Sequence, residues 1–112
     1  LKVSEIAFGG AAISGEGGGY GFGDITESEA EKLLKASLER GINCFDTAPI
    51  YGFGLSEQRM GKAFKKIRDK VILVSKCGVT WHENKRVDMN NSAKVTQRML
   101  EQSLRDLQTD YI

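Results

Sequence analysis

The chain has one proline, one histidine, one tryptophan and two cysteines among 112 residues, and almost no net charge. Each scarcity removes a class of protein. With 16 basic against 15 acidic residues, no overall field draws nucleic acid or an anionic membrane, so neither is expected as a partner. No apolar run approaches the roughly 20 residues that cross a bilayer, and no basic stretch precedes an apolar one at the amino terminus. A soluble, cytoplasmic protein is therefore expected. Cys44 and Cys77 fall in or just after apolar runs, where a small buried thiol packs well; the reduced state is expected, with a bridge between adjacent strands as the lesser alternative. The absence of HExxH, CxxC or any other close ligand cluster speaks against a catalytic metal.

What is present is ordinary globular composition, 40% hydrophobic and 28% charged, punctuated by 13 glycines. Three strand-then-helix units can be read, with the start of a fourth. The first strand lies near 3–9 and leads through the glycine-rich run 15–23 to a helix over 27–40. Thr26 and Glu29 predict a capping box, Ala30, Leu33, Leu34 and Leu38 share a face, and Gly41 predicts the stop. A second strand covers 43–46; Ser56 is the expected cap of a helix to about 67, and Pro49 keeps the loop between them out of both elements. Residues 71–75, VILVS, suit a strand buried on both faces of a parallel sheet. A polar connection over 78–92 precedes a helix over 93–107 with Met99, Leu100, Leu104 and Leu107 inward, and Tyr111 and Ile112 begin a fourth strand. Strand starts spaced by roughly 30 to 40 residues match the βα unit of a parallel α/β fold. Three and a half strands leave two unpaired edges, so a piece of a larger barrel or sheet is expected.

Two tempting motifs fail on inspection. The run GEGGGYGFG over 15–23 contains neither G-x-G-x-x-G nor G-x-x-x-x-G-K-[ST], and reads as a flexible substrate loop. Lys62, Lys65, Lys66, Arg68 and Lys70 lie on a helix that buries Met60, Ala63, Phe64 and Ile67, so they read as a solvated outer face rather than a phosphate site.

The chemistry gathers in GINCFDTAPIYGFGLSEQRMG, residues 41–61, where Asp46 ends a strand and Tyr51 follows in the loop. A tyrosine phenol, which ordinarily titrates at about pH 10, donates a proton near neutrality only with the help of a cation. Lys76 follows the third strand; if the second and third strands are neighbours, all three residues meet at one edge of the sheet. Singly each has a bland reading: a turn former, a lid over the core, a solvated lysine. Jointly, on the carboxyl side of parallel strands, they read as catalytic.

The segments KVSEIAFGG, GINCFDTAPIYGFGLSEQRMGKAF, VILVSKCG and SLRDLQTDYI resemble the amino-terminal part of an aldo-keto reductase, with wording similar to the bacterial stress-induced branch. The resemblance implies a (β/α)8 TIM barrel, of which about three and a half βα units are present and residues 1–112 are the amino-terminal part of a single domain. It implies NADPH-dependent reduction of aldehydes or ketones, NADH not being excluded, on a small-molecule carbonyl substrate. Tyr51 would be the general acid, Lys76 would ease its deprotonation, and Asp46 would hold Lys76 charged and in position. Gly9, Gly10 and Ala11 align with a Gly-Thr-Trp turn of which only the first glycine is kept; Gly10 and Ala11, with Asp46, are the expected cofactor neighbours, and a tight turn closing the strand is the alternative for the first two. The family's histidine follows the next strand, so His82 does not match it. His82 and Trp81 read as loop packing or rim, with a place for Trp81 at the substrate pocket as the alternative. The isolated chain is accordingly expected to be inactive. A nucleotide-sensing subunit like the β subunits of potassium channels is the competing function.

Overall fold

The computed structural model describes residues 1–15 and 18–112; Glu16 and Gly17 of the glycine-rich run lie outside the described residues. Three short parallel strands form one sheet in the order β1 (Ala7–Gly9), β2 (Cys44–Asp46), β3 (Ile72–Val74). Their register sets Gly9, Asp46 and Val74 side by side at the carboxyl end. β2 is the central strand, so the loop that follows it is flanked on both sides. Thr47 continues the ladder by one bond, its N–H donating to the Val74 carbonyl at 2.8 Å.

Helices α1 (Glu27–Glu39), α2 (Leu55–Phe64) and α3 (Ala93–Asp106) follow the three strands in turn. The predicted capping box at α1 is present: the Thr26 hydroxyl accepts from the Glu29 N–H, and the Glu29 carboxylate accepts from the Thr26 N–H at 2.8 Å. Gly41 closes the same helix, its N–H donating to Leu38 O while that of Ile42 reaches Ser37 O. The core lies between sheet and helices. Phe45 of β2 is fully enclosed and stacks against Phe64 of α2, ring centroids 4.5 Å apart, with Ala30, Leu34, Met60, Leu73 and Leu107 around it. Removing such a ring costs about 3–5 kcal/mol. Because successive strand side chains alternate, committing Phe45 to the helix layer turns Asp46 to the other side of the sheet.

Several expectations need correction. Ser56 does not cap α2: Gly54, at φ +99, is the capping residue, and the Ser56 hydroxyl inside the helix is drawn to tertiary partners instead. Beyond α2 the chain tightens into a 3-10 segment, Lys65–Lys70. There the lysines of the basic stretch are exposed, but Arg68 is not a solvated outer residue; it donates to Thr109, Val71 and Tyr111 and stacks on the Tyr111 ring at 3.8 Å. Tyr111 and Ile112 pair with no strand among the described residues. Leu33 and Leu100 are exposed rather than inward, and Cys77 is exposed rather than buried; both cysteines are free thiols. The connection over 78–92 is not featureless: β4 (Val79–Trp81) and β5 (Val87–Met89) form an antiparallel hairpin. Among the described residues no helix is long and apolar enough to cross a membrane.

Candidate active site

The carboxyl end of the sheet brings the three predicted residues together. Asp46 closes β2, and Lys76 stands two residues past Val74, the β3 residue registered with Asp46. The Lys76 ammonium donates to Asp46 Oδ1 at 2.5 Å and to the Thr47 carbonyl at 3.0 Å. It also lies over the Tyr51 ring, 5.1 Å from the centroid. Partial burial opposes the charge on Lys76, but the Asp46 carboxylate and then Tyr51 outweigh it, so the pKa of Lys76 is raised above the ordinary lysine value. The ammonium is therefore secure at neutral pH. Asp46 is half-exposed, and among the described residues nothing is hydrogen-bonded to its Oδ2.

Besides the Lys76 ammonium over its ring, Tyr51 is fixed by the backbone of its loop. Thr47, Ala48 and Ile50 are buried beneath it. Its N–H donates to Ala48 O at 3.1 Å, and its carbonyl accepts from the Ser56 N–H at 3.2 Å, which ties the loop to the first turn of α2. The next residue must be glycine: Gly52 has φ +62, and a Cβ there would sit 2.2 Å from the Ser14 carbonyl oxygen. The Gly52 N–H also donates to Gly19 O at 2.9 Å, so the glycine-rich run braces the tyrosine loop from outside.

Tyr51, Lys76 and Cys77 border a cavity of about 270 Å³ whose other walls include Tyr20, Pro49, Ile50, Val79 and Met99. The wall is mostly apolar, with Lys76, Cys77 and the two tyrosines, Tyr20 and Tyr51, as its polar residues. Trp81 faces an adjoining cavity of about 200 Å³ that shares Pro49 and Met99, and its ring meets Phe53 edge-on at 5.7 Å. His82 is away from the trio, hydrogen-bonded to Asp88 at 2.5 Å on the exposed hairpin beside Arg86. Among the described residues there is no cluster of three or more potential metal ligands.

Gly10 and Ala11 open a short 3-10 turn after β1. Gly10 is buried, and a Cβ on it would meet Ser56 Oγ at 2.6 Å, Asp46 O at 2.8 Å and Met60 Cε at 2.9 Å. Its carbonyl accepts from the Ser56 hydroxyl at 2.9 Å, leaving half-exposed Ala11 as the nearer of the two to solvent.

Sequence reasoning missed Glu57. It is fully enclosed in the first turn of α2, and its Oε1 accepts from the Ser75 hydroxyl at 2.6 Å. Burial pushes its pKa up; Ser75 and Ser103 pull it down, and Asp106 adds to the rise. A signal was available: Glu57 shares the helix face of Met60, Gly61 and Phe64, all buried, so a carboxyl occupies an apolar position.

A sequence profile of the aldo/keto reductase family matches residues 5–112. The chain is 40% identical over 114 residues to the aldo-keto reductase YhdN of Bacillus subtilis, covering 100% of this chain and 33% of that protein. Among solved structures it superposes on an aldo-keto reductase of Bacillus halodurans in its holo form with TM-score 0.87 and 36% identity, covering 100% of this chain and 35% of that one. An aldo-keto reductase of Klebsiella pneumoniae, solved in complex with NADPH, matches with TM-score 0.74 and 28% identity over 98% of this chain and 33% of that one. The chain thus spans about a third of the length of the relatives it matches.

Proposed function

The chain belongs to the aldo/keto reductase family and has the (β/α)8 barrel type of fold, and we propose that the protein it forms part of reduces an aldehyde or ketone to the alcohol. Residues 1–112 form the amino-terminal part of its single barrel domain in this reading. The observation that carries it is the Lys76 ammonium, bound to Asp46 at 2.5 Å and lying over the ring of Tyr51.

NADPH, when bound, supplies the hydride; NADH is compared beside it in the assay. The donor set fits such a group: Asp46 Oδ2 faces no protein partner among the described residues, and an apolar cavity adjoins the phenol. Asp46, Ala11 and Gly10 would be the neighbours of that cofactor, with Gly10 buried against Asp46 O and Ser56 as the floor of the turn. Tyr51 gives its proton to the carbonyl oxygen as that oxygen becomes an alkoxide. The Lys76 ammonium stabilises the phenolate left behind, and Asp46 keeps the ammonium aimed and charged. In the reverse direction the Tyr51 phenolate accepts the proton from the alcohol. Pro49, Ile50, Val79 and Met99 give the cavity beside Tyr51 and Lys76 an apolar wall against which the carbon skeleton of a substrate packs.

Carbonyl-dependent oxidation of NADPH by the full-length protein tests the reading. A Tyr51→Phe variant is expected to lose a factor of about 10² to 10⁴ in kcat. Equal rates would remove Tyr51 from the mechanism.

A further inference from the structure

The Glu57 carboxyl is a fully enclosed group with no part in the proton transfer described above, and Ser75 and Ser103 are its polar neighbours. Ser75 Oγ donates to Oε1 at 2.6 Å, whereas Oε2 has no hydrogen-bond partner among the described residues. A leucine or methionine would continue the apolar face of α2 without burying a polar group, so packing alone does not explain an acid at this position.

Its surroundings do. Ser56 and Glu57, adjacent in the first turn of α2, together touch the carboxyl ends of all three parallel strands. Ser56 Oγ donates to Gly10 O just beyond β1, and bonds to Thr47 Oγ1 just beyond β2 at 2.8 Å. Glu57 holds Ser75 just beyond β3. Two of those anchor points lead straight to the ammonium: Thr47 O accepts from Lys76 Nζ, and Ser75 is the residue before Lys76. The Ser75 hydroxyl is drawn to α2 while the Lys76 side chain runs to Asp46, so the chain is gripped by two contacts at consecutive residues.

We propose that Glu57 is a positioning residue for the acid-base trio: by holding Ser75 it sets the base of the Lys76 side chain where the ammonium reaches Asp46 and Thr47 beside Tyr51. The kinetic part of this inference rests on the reductase reading; the geometric part does not.

The test compares Glu57→Gln and Glu57→Ala in the full-length protein. Glutamine keeps an acceptor for Ser75 and alanine removes it. Carbon-13 NMR of lysine-labelled protein follows the Lys76 titration directly, with no need for turnover. In Glu57→Ala the titration is expected to fall toward the ordinary lysine value, and kcat to drop by about tenfold or more while KM for the carbonyl and affinity for NADPH stay within about twofold. Glu57→Gln is expected to restore both. A folded Glu57→Ala protein whose Lys76 titration and pH–rate profile match those of the wild type overturns the proposal. If Glu57→Ala does not fold, Ser75→Ala, which removes only the donor, is read by the same titration and the same criterion. Should the wild type or Tyr51→Phe contradict the reductase reading, the Lys76 titration still decides whether Glu57 positions the ammonium.

Discussion

Lys76 and Asp46 are 30 positions apart in the chain, yet the ammonium of one donates to the carboxylate of the other at 2.5 Å. The parallel pairing of β2 with β3 produces that contact, since it sets Asp46 beside Val74 and leaves Lys76 two residues further on. Tyr51 joins them from the loop after β2. The trio therefore depends on the register of two neighbouring strands, and a slip of one residue would turn Asp46 into the core.

Asp46→Asn removes the main group that sustains the Lys76 charge while leaving the burial that opposes it. Lys76 is expected to titrate at lower pH in the variant, and kcat to fall by about tenfold or more as the ammonium loses its aim. NMR of labelled lysine and a pH–rate profile read the two effects separately. Because the folded pKa is raised, the stabilisation from Lys76 is complete below the unfolded value of 10.5 and lost as pH rises through the folded value. Alkaline denaturation of the variant should lack that component.

Glu57 gives a pH dependence at the other end of the scale. Its carboxyl sits against Ser75 on the β3 side and against Ser103 and Asp106 of α3, and burial raises its pKa above 4.5. The folded state holds the proton more tightly than the unfolded one, so this group favours folding below about pH 4.5 and loses that contribution as pH rises through the folded value. Glu57→Gln abolishes the titration. Wild-type stability minus variant stability, from urea unfolding at several pH values, should decline across that interval; a flat difference would contradict the assignment.

Gly52→Ala introduces a Cβ where the Ser14 carbonyl oxygen already stands, in a backbone conformation that L side chains rarely adopt. A loss of about 1–3 kcal/mol in stability is expected from the strained conformation. The neighbouring Tyr51 should be displaced as well, lowering kcat by more than the stability change implies. Thermal unfolding and kcat measured on the same preparation distinguish the two.

Much of this was legible because local and tertiary forces agree. Apolar runs at Phe45 and Leu73 announce strands, although β3 is buried on one face only and Val74 is exposed where the sequence predicts burial on both faces; Thr26 and Glu29 cap as their spacing requires, and Asp46, Tyr51 and Lys76 stand in the order that a parallel sheet converts into proximity. Failures occur where tertiary partners override local preference. Ser56 has the chemistry of a cap, but Gly10 and Thr47 claim its hydroxyl. The β4–β5 hairpin lacks the Asn-Gly signal because Lys85 occupies the left-handed position at φ +63, a role that sequence patterns assign to glycine or asparagine. Glu57 is legible only in part: helix periodicity puts it on the buried face of α2 but does not say what a carboxyl there will meet.

The hairpin is also closed at its own base, where the Asn90 N–H donates to Gly78 O at 2.8 Å. It is thus an exchangeable cassette that lies in the chain between Lys76 and α3, its two strands paired with each other and, among the described residues, with no other strand. Swapping residues 79–89 for a hairpin of another shape would retailor the walls formed by Val79 and Trp81 while leaving untouched β2, the loop that holds Tyr51, and Lys76. A change confined to this hairpin therefore alters the cavity walls without altering Asp46, Tyr51 or Lys76.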